Sequence, residues 1–505
     1  MVIKTHAQTI ERNTELQSSE KQLNEVEPLL SSYYSSSSTS TSPLIYVTDQ
    51  KNDHNNTENP LITKDDEDFD GVDLDEINDT FTLFFNDIDI INIPRKAERD
   101  LRRVVPKIYL KAIDKDKEIA VEKCLLMLSN LSSTVFSEER FKTLNSTLLH
   151  EQLQKGNDNT YVYPKIIKAL KYSTHNTSAF IESKKNENKT DTYQVNFTSK
   201  AYSLTDTYYN VGLTEYKIKN EAIIVRRRKH FYSQLNKAQE NLIARNLIKL
   251  YSKIDLPNHD DLLLEAKRLI KLKYTNRKGK ILTLLNNHSK SYYKNSSKRS
   301  FVEENIKLYD FLTKRNYLIP SMGNEKSGGR VVDSFTLMPS WIRKLVKIDN
   351  KNIVEVDFKA LHPNIAMSLY NGSKKYLTHD LVAKESNIDI ASVKMAHLSY
   401  FNKEVRDMKR SPLYNYYNEF EPEMNERIIA EKLGSNKKHK ITSMRMFAKE
   451  VEIMTECIKR LNAMEIYVGY IYDALFCKES DGEIVKKIMD EVVLEFGVYT
   501  TAKIS

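Results

Sequence analysis

Cysteine is scarce in this 505-residue chain, which has only Cys124, Cys457 and Cys477. They lie far apart and form no CxxC pair, which argues against a zinc ribbon or a disulfide scaffold and favours a reducing compartment. The 12 glycines and 12 prolines are too few for a collagen-like or linker-rich protein. No apolar run approaches about 18 residues, and Met1–His6 does not resemble the start of a signal peptide. We therefore expect a cytoplasmic protein that is not secreted and does not bind a membrane.

Charge is distributed unevenly along the chain. Residues 1–95 hold 6 Lys/Arg and 19 Asp/Glu, a net charge of −13. Once these are taken from the totals of 77 and 69, the rest of the chain holds 71 basic and 50 acidic residues, a net charge of +21. A basic body of this size suits a polyanion such as nucleic acid, although a lysine-rich solvated surface would give the same count.

The chain is too long for a single core, and changes in its composition and residue pattern predict three regions. Residues 1–95 contain the low-complexity segment Ser35–Ser42 and predict a disordered acidic tail, which could occupy a basic cleft or recruit a protein partner. Residues 96–299 are predicted to be mainly helical, with apolar residues at helical spacing over 111–131, 141–153 and 258–275. Within this region, alternating side chains around Gly212 predict a hairpin. Residues 300–505 form the third region.

A dense basic run, Arg226–His230, precedes a helical stretch in the second region. Arg226, Arg227 and Arg228 are candidates for phosphate contact with a nucleic acid, and the alternative is that the run only caps or solvates the helix.

Two strand-like stretches in the third region each carry one aspartate. Asn352–Pro363 begins as a β-branched apolar run that ends in Asp357, and Ile466–Cys477 carries Asp473 at its centre. Two strands that each deliver one carboxylate are what a two-metal phosphoryl-transfer site needs, because its ions lie about 3.5–4 Å apart and clamp the attacking and leaving oxygens. Hard cations also prefer carboxylates held on rigid elements.

The order of signals in residues 300–505 resembles the family A DNA polymerases, and more closely their divergent transposon- and virus-encoded branch. The signals in chain order are Gly329–Arg330, Arg343, Glu355–Pro363, Asp380 with Lys394, and Tyr472–Leu475. The resemblance implies an α+β right-hand polymerase fold, with an antiparallel palm sheet and compact helical fingers. Residues 96–299 would then supply a helical, thumb-like region that holds nucleic acid.

The resemblance also implies a role for each residue. Asp357 and Asp473 would be catalytic and would bind two Mg²⁺ ions, with Mn²⁺ as a substitute. The implied nucleotide-binding residues are Lys394, His362, Phe358 and Asn402, and the implied nucleic-acid-binding residues are Arg330, Arg343 and Tyr472. The resemblance does not extend to the three arginines of the basic run, which are expected from their charge to face the duplex. Each role has a structural alternative. Lys394 could be a solvated lysine and His362 a core histidine, Arg330 and Arg343 could form surface ion pairs, and Tyr472 could serve strand packing.

The chain departs from the family pattern at positions that select the nucleotide. His362 stands where the family has the glutamate that screens the sugar 2′-OH. Other departures are Ile390 for an arginine, Leu398 for an aromatic residue, Asn402 for a tyrosine, Tyr472 for a histidine and Ala474 for an acidic residue. Both aspartates are kept, so the resemblance supports phosphoryl transfer more than it supports a choice of nucleotide.

The predicted function is therefore a template-directed DNA polymerase that extends a 3′-OH with dNTPs on a DNA or RNA template, for replication of a virus, plasmid or mobile element. The host cytoplasm would be its location if it is viral. Two alternatives stay open: an RNA polymerase or primase on the same palm, and an inactive palm that binds nucleic acid. A proofreading exonuclease needs its own carboxylate cluster, normally opened by an Asp-x-Glu on a strand, and residues 96–300 show no persuasive set, so no proofreading exonuclease is predicted.

Overall fold

The structure is a computed structural model, and it describes residues 83–84, 87–137, 139–144, 146–153, 161–185, 200–276, 278–285, 297–373 and 376–505. Most of the predicted acidic tail lies outside these residues. The strands are β1 Ile90–Pro94, β2 Lys142–Thr143, β3 Ile181–Ser183, β4 Ala201–Leu204, β5 Leu213–Lys217, β6 Ile254–Asp255, β7 Ile281–Thr283, β8 Arg299–Phe301, β9 Ser321–Met322, β10 Val331–Val332, β11 Lys347–Ile348, β12 Lys351–Phe358, β13 Gly469–Ile471, β14 Ala474–Lys478 and β15 Ala502–Ile504.

Helices make up most of the remaining ordered elements. They are α1 Ala97–Val104, α2 Lys107–Ile113, α3 Lys117–Ser129, α4 Ser146–Leu153, α5 Tyr163–Leu170, α6 Asp206–Tyr209, α7 Glu221–Glu240, α8 Leu242–Tyr251, α9 His259–Lys271, α10 Val302–Thr313, α11 Ser334–Leu337, α12 Ser340–Arg343, α13 Leu361–Leu369, α14 His379–Ser386, α15 Ile390–Tyr400, α16 Val405–Met408, α17 Leu413–Phe420, α18 Pro422–Gly434, α19 Ile441–Asn462 and α20 Gly482–Glu495. The fold is thus a mixture of helices and mainly antiparallel sheets.

An antiparallel central sheet organises the C-terminal half of the chain. Its strand order is β13-β14-β12-β11-β6, and β15 also pairs with β12. Along β12, Val356 and Phe358 are buried whereas Glu355 and Asp357 are half-buried. Because successive strand residues point to opposite faces, one face packs into the core, where α20 contacts β12, and the other face stays partly open. Asp357 lies on this more open face.

Buried apolar side chains form two separate hydrophobic cores. The first draws on residues 91–223, and the second draws on residues 235–502 together with Phe84 and Ile88. The long helix α7 enters both, with Ile223 in the first core and Leu235 in the second. The cores therefore divide within α7, whereas the sequence predicted a boundary at residue 299. Strand β6 pairs in the central sheet, and helices α8 and α9 contribute to the second core.

The predicted hairpin around Gly212 is wrong within the described part of its range. Strand β4 pairs with β2 and β3, and β5 pairs with β1, while α6 separates β4 from β5. The alternation of side chains indicated extended segments correctly. Their partners lie far away in the chain, and local alternation carries no information about those partners.

One segment of the described residues, Lys117–Phe136, is long and apolar enough to cross a membrane by length and composition alone. In the structure, 67% of its most apolar window is buried inside the protein. Cys124 to Leu128 are all fully buried in the first core. The segment therefore has the packing of a core helix.

Candidate active site

The central sheet brings the two predicted aspartates to the same end of neighbouring strands. Asp357 pairs with Ala474 across the β12–β14 ladder. The backbone N–H of Phe358 donates to the carbonyl oxygen of Asp473 at 3.4 Å. Asp473 therefore lies in the two-residue turn between β13 and β14, whereas the sequence predicted it in the middle of a strand. Tyr472 begins this turn with a left-handed φ of 57°.

Asp357 is held loosely at the partly open face. Its cross-strand neighbour on β15 is Lys503, whose Nζ lies 4.0 Å from Asp357 Oδ2. The Asp357 side chain is 25% exposed and that of Lys503 is 52% exposed. A half-exposed pair at this separation contributes little free energy, so the carboxylate stays accessible to a cation.

A buried carboxylate that the sequence did not reveal, Glu450 of α19, gathers several predicted residues around it. Arg330 donates to it from Nε at 2.7 Å and from a terminal nitrogen at 2.6 Å, and His362 Nε2 donates to its Oε2 at 2.6 Å. The Arg330 guanidinium also lies over the rings of Phe447 and Tyr472, at 3.8 Å and 4.5 Å from the centroids. We call these residues the Glu450 cluster.

The Glu450 cluster is electrostatically tight. Burial raises the pKa of Glu450, but Arg330 and His362 outweigh burial and lower that pKa to about 2. Glu450 therefore stays ionised as the counter-charge of Arg330. Because Tyr472 stacks on Arg330, the cluster also buttresses the turn that carries Asp473.

The surroundings of Asp473 disfavour its ionisation. Burial and the negative charge of Glu450 raise the pKa of Asp473, while His362 and Arg330 act in the opposite direction. A cation beside Asp473 would offset both the burial and the repulsion from Glu450. Within the described residues no group of three or more His, Cys, Asp or Glu side chains is arranged to hold a metal ion. Two carboxylates nevertheless fit Mg²⁺, which commonly takes one or two and completes its shell with water and substrate phosphates.

The sequence carried one signal that could have revealed Glu450. On α19, the buried Met446, Ile453 and Cys457 form an apolar stripe at helical spacing, and Glu450 occupies a position inside that stripe. A charged residue on the buried face of a helix requires a partner, because an isolated buried charge is costly. Its partner Arg330 is 120 residues away in the chain, so the signal would have indicated only that a partner exists.

Of the two glycines before Arg330, Gly328 packs against protein. A Cβ on Gly328 would lie 2.3 Å from the backbone nitrogen of Ala448 and 2.4 Å from the carbonyl carbon of Phe447. The loop therefore rests directly on the backbone of α19, and this contact directs Arg330 toward Glu450. Gly329 has open space around its Cβ position.

This contact leads to a prediction about stability. Gly328 and Gly329 both have left-handed backbones, with φ of 64° and 80°. Gly329→Ala should therefore report the backbone cost alone, about 1 kcal/mol. Gly328→Ala adds the collision with α19 and should lower the free energy of unfolding by about 2–4 kcal/mol. Urea denaturation of both variants measures the difference, and equal losses would show that the loop does not rest on α19.

Arg343 and Phe358 lie in the interior, which corrects their predicted roles in contacting nucleic acid and nucleotide. Arg343, at the end of the short helix α12, is buried and donates to the carbonyl oxygen of Met338 at 2.9 Å. Its guanidinium lies 5.5 Å from the ring centroids of Phe335 and Phe476. Phe358 is 3% exposed and belongs to the second core. Both side chains support the central sheet from within.

Lys394 is exposed on α15, and Ile390 and Leu398 are exposed one turn before and after it. These three residues share one helical face because they are four positions apart. The helix packs mainly on α14 and α17 through its other face, which includes the buried His397. Asn402 follows the helix end in a half-buried turn. The roles of Lys394 and Asn402 in nucleotide binding stay predictions.

The basic run of α7 does not present one continuous surface. Arg227 points inward, where its Nε donates to the carbonyl oxygen of Ile88 at 3.0 Å and its guanidinium lies 5.3 Å from the ring centroid of Phe231. Burial lowers the pKa of Arg227 to about 10. Arg226 is half-buried and Arg228 is exposed. Arg227 thus ties α7 to the chain before β1, which corrects its predicted role in contacting a duplex.

Comparisons with known proteins add little to this geometry. No protein-family model matches the chain, and no curated protein matches it. Among solved structures, the chain is similar to the POL domain of Pol1 from M. smegmatis in complex with DNA primer-template and dNTP, at 8% sequence identity and a TM-score of 0.34. The likeness covers 56% of this chain and 73% of that chain. A TM-score of this size carries no argument about fold or function.

Proposed function

We propose that this chain is a two-metal nucleotidyltransferase that extends a polynucleotide 3′-OH with dNTPs on a template. The supporting observation is the pairing of β12 with the β13–β14 hairpin, which brings Asp357 on β12 and Asp473 in the hairpin turn to one end of the central sheet. Rigid strands are suited to holding carboxylates at a fixed separation.

In this proposal, each aspartate has a separate part. Asp357, at the partly open face, meets the incoming triphosphate, and Asp473, in the turn, lies nearer the protein interior. Two Mg²⁺ ions held by these carboxylates would lower the pKa of the primer hydroxyl and neutralise the triphosphate. The 3′-oxygen forms the new bond to the α-phosphorus, and the bond to pyrophosphate breaks.

The Glu450 cluster fixes the geometry in this proposal. Arg330 is buried and fully engaged with Glu450, so we assign it to the support of the Tyr472–Asp473 turn rather than to the primer-template. His362 donates to the same carboxylate. In the resemblance, His362 occupies the position of the residue that screens the sugar. Because His362 is bound to Glu450, the choice between dNTP and rNTP is left open. The RNA polymerase or primase alternative therefore stands beside the DNA polymerase.

The test is extension of a labelled primer-template by the purified chain in Mg²⁺, with dNTPs and rNTPs in parallel. Incorporation of dNTPs alone supports the DNA polymerase, and incorporation of rNTPs without a primer selects the primase. Salt-dependent binding without incorporation in Mg²⁺ or Mn²⁺ selects the inactive, nucleic-acid-binding alternative. Release of labelled 3′-terminal nucleotides would contradict the predicted absence of proofreading.

Lys394 provides a second test of the same proposal. If its ammonium group holds the triphosphate, Lys394→Ala should raise KM for dNTP about tenfold, since one charge-assisted contact contributes about 1.5–3 kcal/mol. The matched control is Lys384→Ala, because Lys384 is an exposed lysine on the neighbouring helix α14. Steady-state extension rates at varied dNTP measure both values, and an equal KM in the two variants would remove Lys394 from the site.

A further inference from the structure

A cavity of about 1120 Å³ lies between the two hydrophobic cores, away from the two aspartates. Its walls come from β1, the middle of α7, the loop and strand around β5, and residues 307–321. Pockets for small ligands commonly measure about 300–1,000 Å³, so this cavity has room for a larger occupant. The function proposed above does not use it.

Aromatic side chains from distant parts of the chain meet in this cavity. Phe136 precedes β2, and Phe311 lies on α10 and packs against the second core. Their ring centroids lie 5.1 Å apart. Phe231 of α7 lines the same cavity, and all three rings are only half-buried. Half-buried rings in a concave surface are available for stacking with planar groups such as nucleobases.

The charged groups of the cavity favour an anion. Five basic and two acidic residues line it. Arg315 already pairs with both Asp87 and Glu215, while Arg95, Lys307 and Lys314 are exposed. The charge on the lining is therefore net positive after this pairing.

An unsatisfied polar atom also points to a missing partner. The Oδ1 atom of Asn316 is buried and has no hydrogen-bond partner within the described residues. Asn316 lines the cavity, and buried polar atoms in native proteins nearly always find a partner. An amide oxygen accepts hydrogen bonds, so it suits the amino or imino groups of a nucleobase.

We infer that this cavity binds a single-stranded segment of nucleic acid, with bases against Phe136, Phe231 and Phe311 and phosphates near Arg95, Lys307 and Lys314. Interleaved aromatic and basic groups are the usual means of holding single strands without sequence preference. The β9–β10 hairpin connects the cavity with the candidate active site. Ser321 and Val332 of this hairpin line the cavity, and Arg330 immediately precedes β10. The inference is independent of the proposed function, because binding here requires neither a metal ion nor the aspartates.

Fluorescence anisotropy of labelled oligo(dT) with the full-length chain, without metal ions or dNTP, tests the inference. Lys314→Glu and Lys307→Glu should each weaken binding about tenfold and reduce the salt dependence by about one phosphate contact. Phe311→Ala should weaken binding about tenfold through lost stacking. Because Phe311→Ala could disturb folding, the inference is judged on the two lysine variants. Lys487→Glu, an equal charge change at an exposed position of α20 outside the cavity, is the matched control and should bind like the parent.

The arms of this experiment separate the sources of binding. Oligo(dT) should bind more tightly than dTMP, and Asp357→Asn should bind oligo(dT) like the parent even if it abolishes extension. Equal affinities of the cavity variants and Lys487→Glu would overturn the inference. Binding of dTMP as tight as that of oligo(dT) would also overturn it. A third outcome would also overturn it: the cavity variants weaken the binding of a peptide of residues 1–82 but leave the binding of oligo(dT) unchanged.

Discussion

Asp473→Asn is expected to reduce the rate of Mg²⁺-dependent primer extension by at least about 10³-fold, and Asp357→Asn is expected to do the same. A carboxylate that binds a catalytic metal contributes several kcal/mol to transition-state stabilisation, and about 1.4 kcal/mol corresponds to a factor of ten. Asparagine has nearly the same shape but no negative charge, so the loss isolates the charge. Rapid-quench extension of a labelled primer measures the rate.

Stability distinguishes this loss from misfolding. Burial and Glu450 raise the pKa of Asp473, which means that the folded state resists its ionisation. At neutral pH the unfolded chain ionises this carboxyl, whose ordinary pKa is 3.8, whereas the folded state disfavours its ionisation. The neutral asparagine removes this cost, so Asp473→Asn should unfold at the same or higher urea concentration than the parent. Such a variant would be inactive and stable at once.

A matched control lies on the same strand. Glu355→Gln makes the same chemical change two residues before Asp357, on the same half-buried face of β12. It should extend primers at nearly the parental rate. Loss of activity in Glu355→Gln equal to that in Asp357→Asn, or full activity in both aspartate variants, would refute the two-metal site.

Glu450→Gln is expected to produce the largest loss of stability, about 3–5 kcal/mol in the free energy of unfolding. The substitution leaves the buried Arg330 guanidinium without its counter-charge, and breaking a buried ion pair from one side is strongly destabilising. Glu456→Gln, on the same helix but in a surface ion pair with Lys459 and Arg460, should cost less than about 1 kcal/mol. Urea denaturation near neutral pH measures both variants.

The pH dependence of the free energy of unfolding tests whether Glu450 is held ionised in the folded state. The pKa of Glu450 falls from an ordinary 4.5 to about 2 in the folded state. Its contribution, about 3 kcal/mol, is therefore complete above about pH 4.5 and is lost as the pH falls toward 2. In Glu450→Gln this part of the acid dependence should disappear. An unchanged acid dependence would mean that Glu450 is not held ionised by the cluster.

A double variant separates the ion pair from the shape of the site. Arg330→Met combined with Glu450→Met removes both charges and keeps comparable volume. It should regain most of the stability that Glu450→Gln loses, because no uncompensated charge is left inside. It should not regain extension activity if the cluster holds the Tyr472–Asp473 turn, since the guanidinium that stacks on Tyr472 is gone.

Much of the local structure could be predicted from spacing alone. Apolar residues at helical intervals predicted helices that overlap α3, α4 and α9, and a β-branched run predicted β12, which ends after Asp357. These patterns report which face of an element is buried, and that property is local. The pairing of β4 and β5 could not be predicted, because their partners are set by packing over long separations.

The candidate site shows the same difference between what is local in the sequence and what is set by long-range packing. Arg330, His362, Tyr472 and Asp473 were recognised as separate signals, but Glu450, which binds both Arg330 and His362, was missed. Arg343 and Arg227 were predicted to contact nucleic acid, yet their guanidinium groups turn into the protein. A charged residue in a sequence does not reveal whether it faces water or a carbonyl oxygen and aromatic rings.

The sequence by itself determined the two aspartates, the strands that precede or flank them, and the opposite charges of the tail and the body. The tertiary structure decided that Asp473 lies in a turn, that Arg330 is bound by Glu450, and that aromatic and basic side chains from distant parts of the chain share one cavity. The reason is physical. Periodicity fixes the orientation of a side chain relative to its own element, whereas a counter-charge 120 residues away is chosen only when the elements pack.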